Sequence, residues 1–528
     1  MAPKKGDELS PFELKDQLIE IASSHADQMM LNAGRGNPNF LATHPRHAFL
    51  RLGDFAVKEA ERSYSYLNSG FGGLPEKQGI VSRFDTYCML NEGQDGLDFL
   101  RASLAFAEDH IGLSKQEFLF EMTSAFLGGN YPVPPRMLES FEKVVNHYLA
   151  QEMYGSLDND HDFDLFATEG GTAAMTYIFQ TLKANGLTKP KDKIALVTPI
   201  FSPYLEIPVL PEYDLEIVDI RADEGNGWQL PASEIKKLED PDIKILCVVN
   251  PSNPPSVKMS ADVLKRLSDL VSKKRPDLMI VTDDVYATFS DNFESLFAVC
   301  PYNTLCVYSF SKYFGATGWR LGVIGVHADN IFDDSLAKLS GKALANTDRR
   351  YASLTDQPRA LRFIDRLVAD SRAVALNHTA GLSLPQQLQM TLFALAGLLD
   401  EDESYKGAAK RLIRRRHGLL YQALGVSPQI TESDVDYYTL LDLEVIGRQL
   451  YGAKFAAWLL KREISIEFLF RLARETSVVL LPGKGFEDTH PSARVSLANL
   501  RENDYIAIGK CTRKVLDEYY QEWKSQKK

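Results

Sequence analysis

Ser309-Phe310-Ser311-Lys312-Tyr313-Phe314-Gly315-Ala316-Thr317-Gly318-Trp319-Arg320-Leu321-Gly322 follows a short apolar run, residues 304–308, that reads as a buried strand. Lys312 stands just past the carboxyl end of that strand, Ser309 three residues before it and Arg320 eight residues after it. In an α/β sheet the carboxyl ends of the strands are where ligands bind. A lysine desolvated there, among small and aromatic residues, can become neutral and nucleophilic. Ser309 and Arg320 suit an anionic group beside it, such as a phosphate. A single strand-end lysine near a serine is more often an ordinary surface cation. The full Ser-x-x-Lys-x7-Arg spacing closing on Gly-Trp-Arg-Leu-Gly argues for the site.

Outward from this stretch, the chain before it alternates strand-like and helical segments. Residues 164–168 run into Glu169-Gly170-Gly171-Thr172, a glycine turn opening a helix, where free N–H groups and the dipole attract phosphate. Strand-like runs follow at 193–198, 215–220, 243–249, 278–282, 304–308 and 321–326. This is the look of a mostly parallel sheet with helices on both faces. Polar residues collect at the strand ends: Pro199-Ile200-Phe201, Asn250-Pro251-Ser252-Asn253 and Asp283-Asp284-Val285-Tyr286. Turn residues gather at such loops for structural reasons alone. The argument therefore rests on several of them preceding the lysine together.

The flanks are less explicit. An amphipathic helix is expected from Ser10 to about Met30, and Leu31-Asn32-Ala33-Gly34-Arg35-Gly36 reads as a tight turn around an arginine. Residues 45–130 form a helical extension ending at the proline-rich crossing Gly129-Asn130-Tyr131-Pro132. The large sheet unit is expected over 131–400 and a smaller α+β unit over 401–528, with residues 1–44 as an arm joining the latter. The smaller unit carries strand-like runs at 437–443, 478–481 and 493–497, and the basic run Lys410–His417 reads as a solvated helix face.

Composition bounds the partners. The 528 residues are 45% hydrophobic and 25% charged, as in a soluble globular protein of two or more packed units. A net charge of -12 argues against nucleic acid, and no apolar run nears the roughly 20 residues of a membrane helix. The five cysteines show no Cys-x-x-Cys pair, which suits free thiols in a reducing cytoplasm. The charged start of the chain, 1–8, leads into no signal core, and 524–528 reads as a frayed tail. No metal site is expected.

The ordered set Gly-Gly-Thr, the aromatic after Pro199, Asn-Pro, Asp-x-x-Tyr and Ser-x-x-Lys-x7-Arg resembles the fold-type-I aminotransferase superfamily. The resemblance implies an α/β fold, with a mostly parallel, seven-stranded sheet in a large domain and a smaller α+β domain. It also implies pyridoxal 5'-phosphate (PLP) as cofactor. Lys312 would carry the cofactor, and Gly170, Gly171, Thr172, Ser309 and Arg320 would hold its phosphate. Asp283 would face the pyridine nitrogen, Tyr286 and Asn253 the phenolic oxygen, and Phe201 the ring. Arg494, after Pro482-Gly483, would bind the substrate α-carboxylate with Asn253. One departure is Asn253-Pro254-Pro255-Ser256, where the superfamily more often has Asn-Pro-Thr-Gly; it leaves the turn geometry open.

Residues 31–40, 129–136, 363–372 and 375–383 resemble the aspartate 4-decarboxylase family, a long branch of that superfamily. This resemblance implies conversion of L-aspartate to L-alanine and carbon dioxide, with minor transamination. It implies Arg35 and Gly112 at the substrate. It also implies a homo-oligomer of dimers, with a dodecamer as one candidate size, whose shared sites take Tyr131 from the neighbouring subunit. The partner-subunit arginine with which aspartate aminotransferases bind the side-chain carboxylate has no recognisable equivalent. A β-carboxylate held in a strong ion pair resists leaving as neutral carbon dioxide, so the absence is consistent with decarboxylation. Lys312 would move the α-proton, which sets an electron acceptor β to the leaving carboxylate, as in a β-keto acid. The alternative is a plain aspartate aminotransferase. A PLP-binding transcription regulator would need a basic head, which the first 130 residues lack.

Overall fold

A computed structural model describes residues 11–23, 29–68, 70–154, 163–372, 381–462 and 464–526. The helix start at Ser10, residues 24–28 of the helix expected to reach Met30, residues 375–380 of one family stretch, the charged start and the last two residues of the tail lie outside the described residues.

Helix α1 (Pro11–Ser23) buries Leu14, Leu18 and Ala22, one stripe at four-residue spacing. It leads to a two-residue strand, β1 (Leu31–Asn32). The expected helical extension comprises α2 (His44–Ser63), α3 (Ile80–Leu90), α4 (Leu97–Ile111) and α5 (Lys115–Leu127), followed by α6 (Glu139–Met153). Inside it Glu59 is buried and takes three hydrogen bonds of 2.7–2.9 Å from the Arg83 guanidinium, so the charge is paired rather than stranded.

The large sheet contains β2 (Phe163–Thr168), β3 (Lys193–Thr198), β4 (Glu216–Arg221), β5 (Ile243–Val249), β6 (Met279–Asp283), β7 (Thr304–Ser309) and β8 (Gly322–His327), with α7 (Gly171–Ala184) after β2. Their order is β2-β8-β7-β6-β5-β3-β4. Only β8 runs antiparallel to its neighbours. The central strands are buried on both faces, which is why they read as continuous apolar runs rather than alternating ones. Register brings Val249 beside Asp283 and Asp283 beside Val307, so the chain leaves β5, β6 and β7 at one edge. The antiparallel return of β8 sets Gly322 against both Ser309 and Thr168. The Lys312 loop and the α7 N-terminus therefore share that edge.

Toward the C-terminus, β9 (Tyr438–Asp442), β10 (Val478–Val479), β11 (Leu481–Pro482) and β12 (Ser492–Ser496) form the remaining strands; β11, β12 and β9 make an antiparallel sheet in that order. β10 pairs in parallel with β1, and the Ser496 N–H donates to Ala33 O at 2.8 Å. The arm is thus stitched to strands more than 440 residues away. The reading of Lys410–His417 as solvated is corrected in part: Arg414 and Arg415 are exposed, but Arg416 and His417 are buried. Arg416 donates to Leu497 O and to Asn39 Oδ1, tying the arm to the end of β12. No described helix is long and apolar enough to cross a membrane.

Glu224 beyond β4, Asp442 at the end of β9 and His490 before β12 meet in one cluster. His490 Nδ1 lies 2.6 Å from Asp442 and 3.2 Å from Glu224. Asp442 holds the imidazole proton, raising His490 to about 9; burial and the Asp442 charge raise the Glu224 carboxyl to about 8. Both groups keep protons when folded that they lose when unfolded. Stability is therefore expected to fall as pH rises from about 4.5 to 8 through Glu224 and from about 6.5 to 9 through His490. Glu224→Gln should flatten that decline below about pH 8, as read by thermal melts across the range.

Candidate active site

At the shared sheet edge, Gly170 caps α7 with φ 89°, a backbone that favours glycine. A Cβ there would lie 2.6 Å from Arg320 Nη2. Arg320 itself has φ 58°, and its guanidinium donates to Thr317 O and Glu169 O at 3.1 Å each. Ser309 Oγ donates to Leu321 O at 3.0 Å and lies 2.9 Å from Ser311 Oγ. Gly170, Gly171, Thr172, Ser309 and Arg320 thus form one corner, with a helix N-terminus, hydroxyls and a guanidinium facing the same space. That donor set suits a dianionic phosphate.

Across the cavity, Asp283 ends β6. The Val285 N–H and the Tyr204 hydroxyl each donate to its carboxylate at 3.3 Å. Burial nevertheless raises the Asp283 carboxyl to about 6, against those hydrogen bonds and the Lys312 charge. Behind it, burial raises Asp284 to about 7, while the Ser295 and Thr282 hydroxyls and the Cys306 thiol donate to it. Asp283 faces the cavity and Asp284 faces the core, so only Asp283 can meet a cation from a ligand.

The third wall is polar and aromatic. Asn253 Nδ2 donates to the Tyr286 hydroxyl at 3.3 Å, and that hydroxyl shares a 2.9 Å hydrogen bond with the Tyr438 hydroxyl. Arg494 Nη1 donates to Asn253 Oδ1 at 3.0 Å and Nη2 to Gly34 O at 2.9 Å. Its guanidinium stacks over Tyr438 and Phe486, with Cζ 4.4 and 4.7 Å from the ring centroids. Arg494 Nε is buried and has no partner among the described residues. Ser256 answers the open turn geometry. It adopts φ 67°, the conformation a glycine would take, and its hydroxyl accepts from the Tyr437 and Tyr438 N–H groups at 3.0 and 3.1 Å. The serine therefore fixes where Tyr438 stands.

Lys312 Nζ donates to Gly36 O at 3.3 Å, and Tyr437 OH donates to the same carbonyl at 2.8 Å. A Cβ on Gly36 would collide with the Tyr438 hydroxyl and sit 3.3 Å from Lys312 Nζ. Arg35 lines the cavity mouth and has no hydrogen bond or ion pair among the described residues. The cavity measures about 340 Å³. It gathers Gly171, Thr172, Phe201, Asn253, Asp283, Tyr286, Ser309, Lys312, Arg320, Arg35 and Arg494, with Gly170 against Arg320. Gly112 and Tyr131 stand outside it: Gly112 caps the end of α4, and Tyr131 is 77% exposed. Sequence reasoning missed Tyr438, Tyr204 and Lys15. Tyr438 sits in a run that reads as plain strand, and Tyr204 closes the strand-end stretch after Pro199 without a role of its own; Lys15 reaches the cavity from α1 and pairs with Asp16 at 3.1 Å.

The "Aminotransferase class I and II" family model matches residues 128–507, and the chain belongs to that family. It is 55% identical over 517 residues to a "Bifunctional aspartate aminotransferase and L-aspartate beta-decarboxylase" of Pseudomonas sp, covering 98% of this chain and 97% of that one. It is 26% identical over 211 residues to the aspartate/prephenate aminotransferase of Nitrosomonas europaea, covering 37% of this chain and 51% of that one. Among solved structures, Thermus thermophilus aspartate aminotransferase with maleate superposes with a TM-score of 0.58 at 16% identity, over 98% of this chain and 97% of that one. A double mutant of the same protein gives 0.60 at 16% identity, with 97% of each chain covered. These structures share the fold.

Asp283 carries a pH signature. Its carboxyl titrates at about 6 in the folded state against 3.8 as the ordinary value, so the folded state holds the extra proton between them. Stability of the ligand-free protein is expected to fall as pH rises from about 4 to 6, by about 3 kcal/mol for this group. Asp283→Asn should raise the melting temperature of the ligand-free protein at neutral pH by a few degrees, on the order expected for that energy, and leave it little changed at pH 4.

Proposed function

We propose that this chain is a PLP-dependent enzyme that removes the β-carboxylate of L-aspartate, giving L-alanine and carbon dioxide, with aspartate transamination as a minor activity. One observation carries the reading. Among the described residues the buried Arg494 Nε has no partner and Arg35 at the mouth has no ion pair, and both line one cavity with Lys312. Two guanidiniums around an amine suit a dicarboxylic amino acid. The Pseudomonas relative named for both activities supports it.

The residues fit the cofactor. Asp283, raised to about 6 by burial, would pair as a carboxylate with a protonated ring nitrogen. Gly170, Gly171, Thr172, Ser309 and Arg320 match a phosphate, Phe201 a ring face, and Lys312 an aldehyde. Bound there, PLP supplies an electron sink. The chain does the rest. Arg494 and Asn253 fix the α-carboxylate, Lys312 removes and returns the α-proton, and Arg35 orients the β-carboxylate. Arg35 is exposed and makes no buried fork, so it holds that carboxylate without locking it as an anion.

The assembly is proposed to be a homo-oligomer of dimers, of dodecamer size in one form, acting in the cytoplasm. Tyr131 and Val133 are each 77% exposed, and Met89 and Leu90 at the end of α3 are exposed apolar side chains that a neighbouring subunit would cover. Cys88, Cys247, Cys300, Cys306 and Cys511 are free thiols, as a reducing compartment requires.

Product analysis by NMR with L-aspartate and PLP tests the activity. Alanine should accumulate without a keto-acid acceptor and vanish in Lys312→Ala; turnover only with a keto acid would make this an aminotransferase. Arg35→Ala should lower the ratio of decarboxylation to transamination by about tenfold or more, as for loss of an orienting charge; an unchanged ratio would remove Arg35 from the mechanism. Leu90→Glu should shift the light-scattering mass to a smaller oligomer.

A further inference from the structure

The proposed reaction consumes one proton: aspartate and H⁺ give alanine and carbon dioxide. The proton that Lys312 takes from the α-carbon has to return there. The β-carbon, left with the electron pair of the broken C–C bond, therefore needs a second donor. We propose that the Tyr438 hydroxyl is that donor, an inference that rests on the decarboxylation reading.

Geometry narrows the choice. Among the hydroxyls lining the cavity, Ser309, Ser311, Thr172 and Thr317 stand with Arg320 at the anion corner, away from the substrate guanidiniums. Tyr286 is engaged by Asn253 and Tyr438. Arg35 and Arg494 hold their protons too tightly to act as acids. Tyr438 remains. Its hydroxyl would collide with a Cβ on Gly36, whose position lies 3.3 Å from Lys312 Nζ. It therefore stands beside the lysine, at the Gly36 wall of the cavity that Arg35 also lines.

The surroundings also suit a phenol that gives up its proton. In the step, the Tyr438 O–H bond breaks, a C–H bond forms at the β-carbon with the pair left by carbon dioxide, and a phenolate remains. The Tyr286 hydroxyl at 2.9 Å can donate to that oxygen. The Arg494 guanidinium stacks on the ring, with Cζ 4.4 Å from its centroid, and holds the ring's orientation. Water at the cavity mouth returns the proton. Ser256 keeps the hydroxyl in place through the Tyr437 and Tyr438 N–H groups.

The test is Tyr438→Phe in the holoenzyme, with carbon dioxide and alanine followed separately in a single turnover by rapid quench. Removal of a general acid should slow alanine formation by about 100-fold while carbon dioxide release stays within about threefold of wild type. Succinate binding, measured by calorimetry, should stay within about twofold, as expected if the site keeps its shape. Equal slowing of both products, unchanged alanine formation, or a loss of succinate affinity of about tenfold or more would overturn the proposal and leave Tyr438 a support for Tyr286. Lys15→Met is the companion variant: the same split there, absent in Tyr438→Phe, would assign the proton to the ammonium and overturn it. Wild type releasing no carbon dioxide from aspartate would instead overturn the decarboxylation reading itself.

Discussion

A buried guanidinium with no carboxylate partner among the described residues is the constraint around which this site is organised. Desolvating a cation is costly unless its hydrogens are met and its charge is balanced. The chain meets Arg494 with two neutral acceptors, Gly34 O and Asn253 Oδ1, and with the faces of Tyr438 and Phe486. Those partners come from the N-terminal arm, the loop after β5, β9 and the turn before β12. Each has to be in place for the others to be tolerated. The arrangement holds the arginine without neutralising it, which leaves its charge for a ligand carboxylate.

The same logic separates the two adjacent acids. Asp283 and Asp284 are both buried and both raised, yet their partners differ. Asp284 is enclosed by the Thr282 and Ser295 hydroxyls and the Cys306 thiol, so it works as a rigid hydrogen-bond acceptor inside the core. Asp283 has the cavity in front of it and lies within the influence of Lys312. One step along a strand end thus converts a structural carboxyl into one that answers to a ligand.

Much of this was legible in the sequence because parallel strands buried on both faces leave unmistakable apolar runs, and their polar ends then stand out. Asn253, Asp283, Tyr286, Ser309, Lys312 and Arg320 were found that way and converge in one cavity. Tyr438 was not, because a tyrosine opening a strand looks like any strand aromatic; its role appears only when Gly36 and Tyr286 arrive from elsewhere. Ser256 was seen only as a departure from glycine, since a left-handed backbone leaves no mark on composition. Arg416 was read as solvated because its partners, Asn39 and Leu497, are far away in sequence. Gly112 and Tyr131 rested on family resemblance alone, and one protomer does not bring them to the cavity.

The stitching of β1 to β10, and of Ala33 to Ser496, bears on how the protein is made. During synthesis the large sheet can close as soon as β8 emerges, since all its strands lie between residues 163 and 327. Gly34, Arg35 and Gly36 leave the ribosome before the large sheet, but the strands that hold them, β10 and β12, emerge only after it. The nascent chain thus carries a finished lysine loop with an unanchored arm, and the Arg494 wall of the cavity closes only once β10 and β12 have emerged.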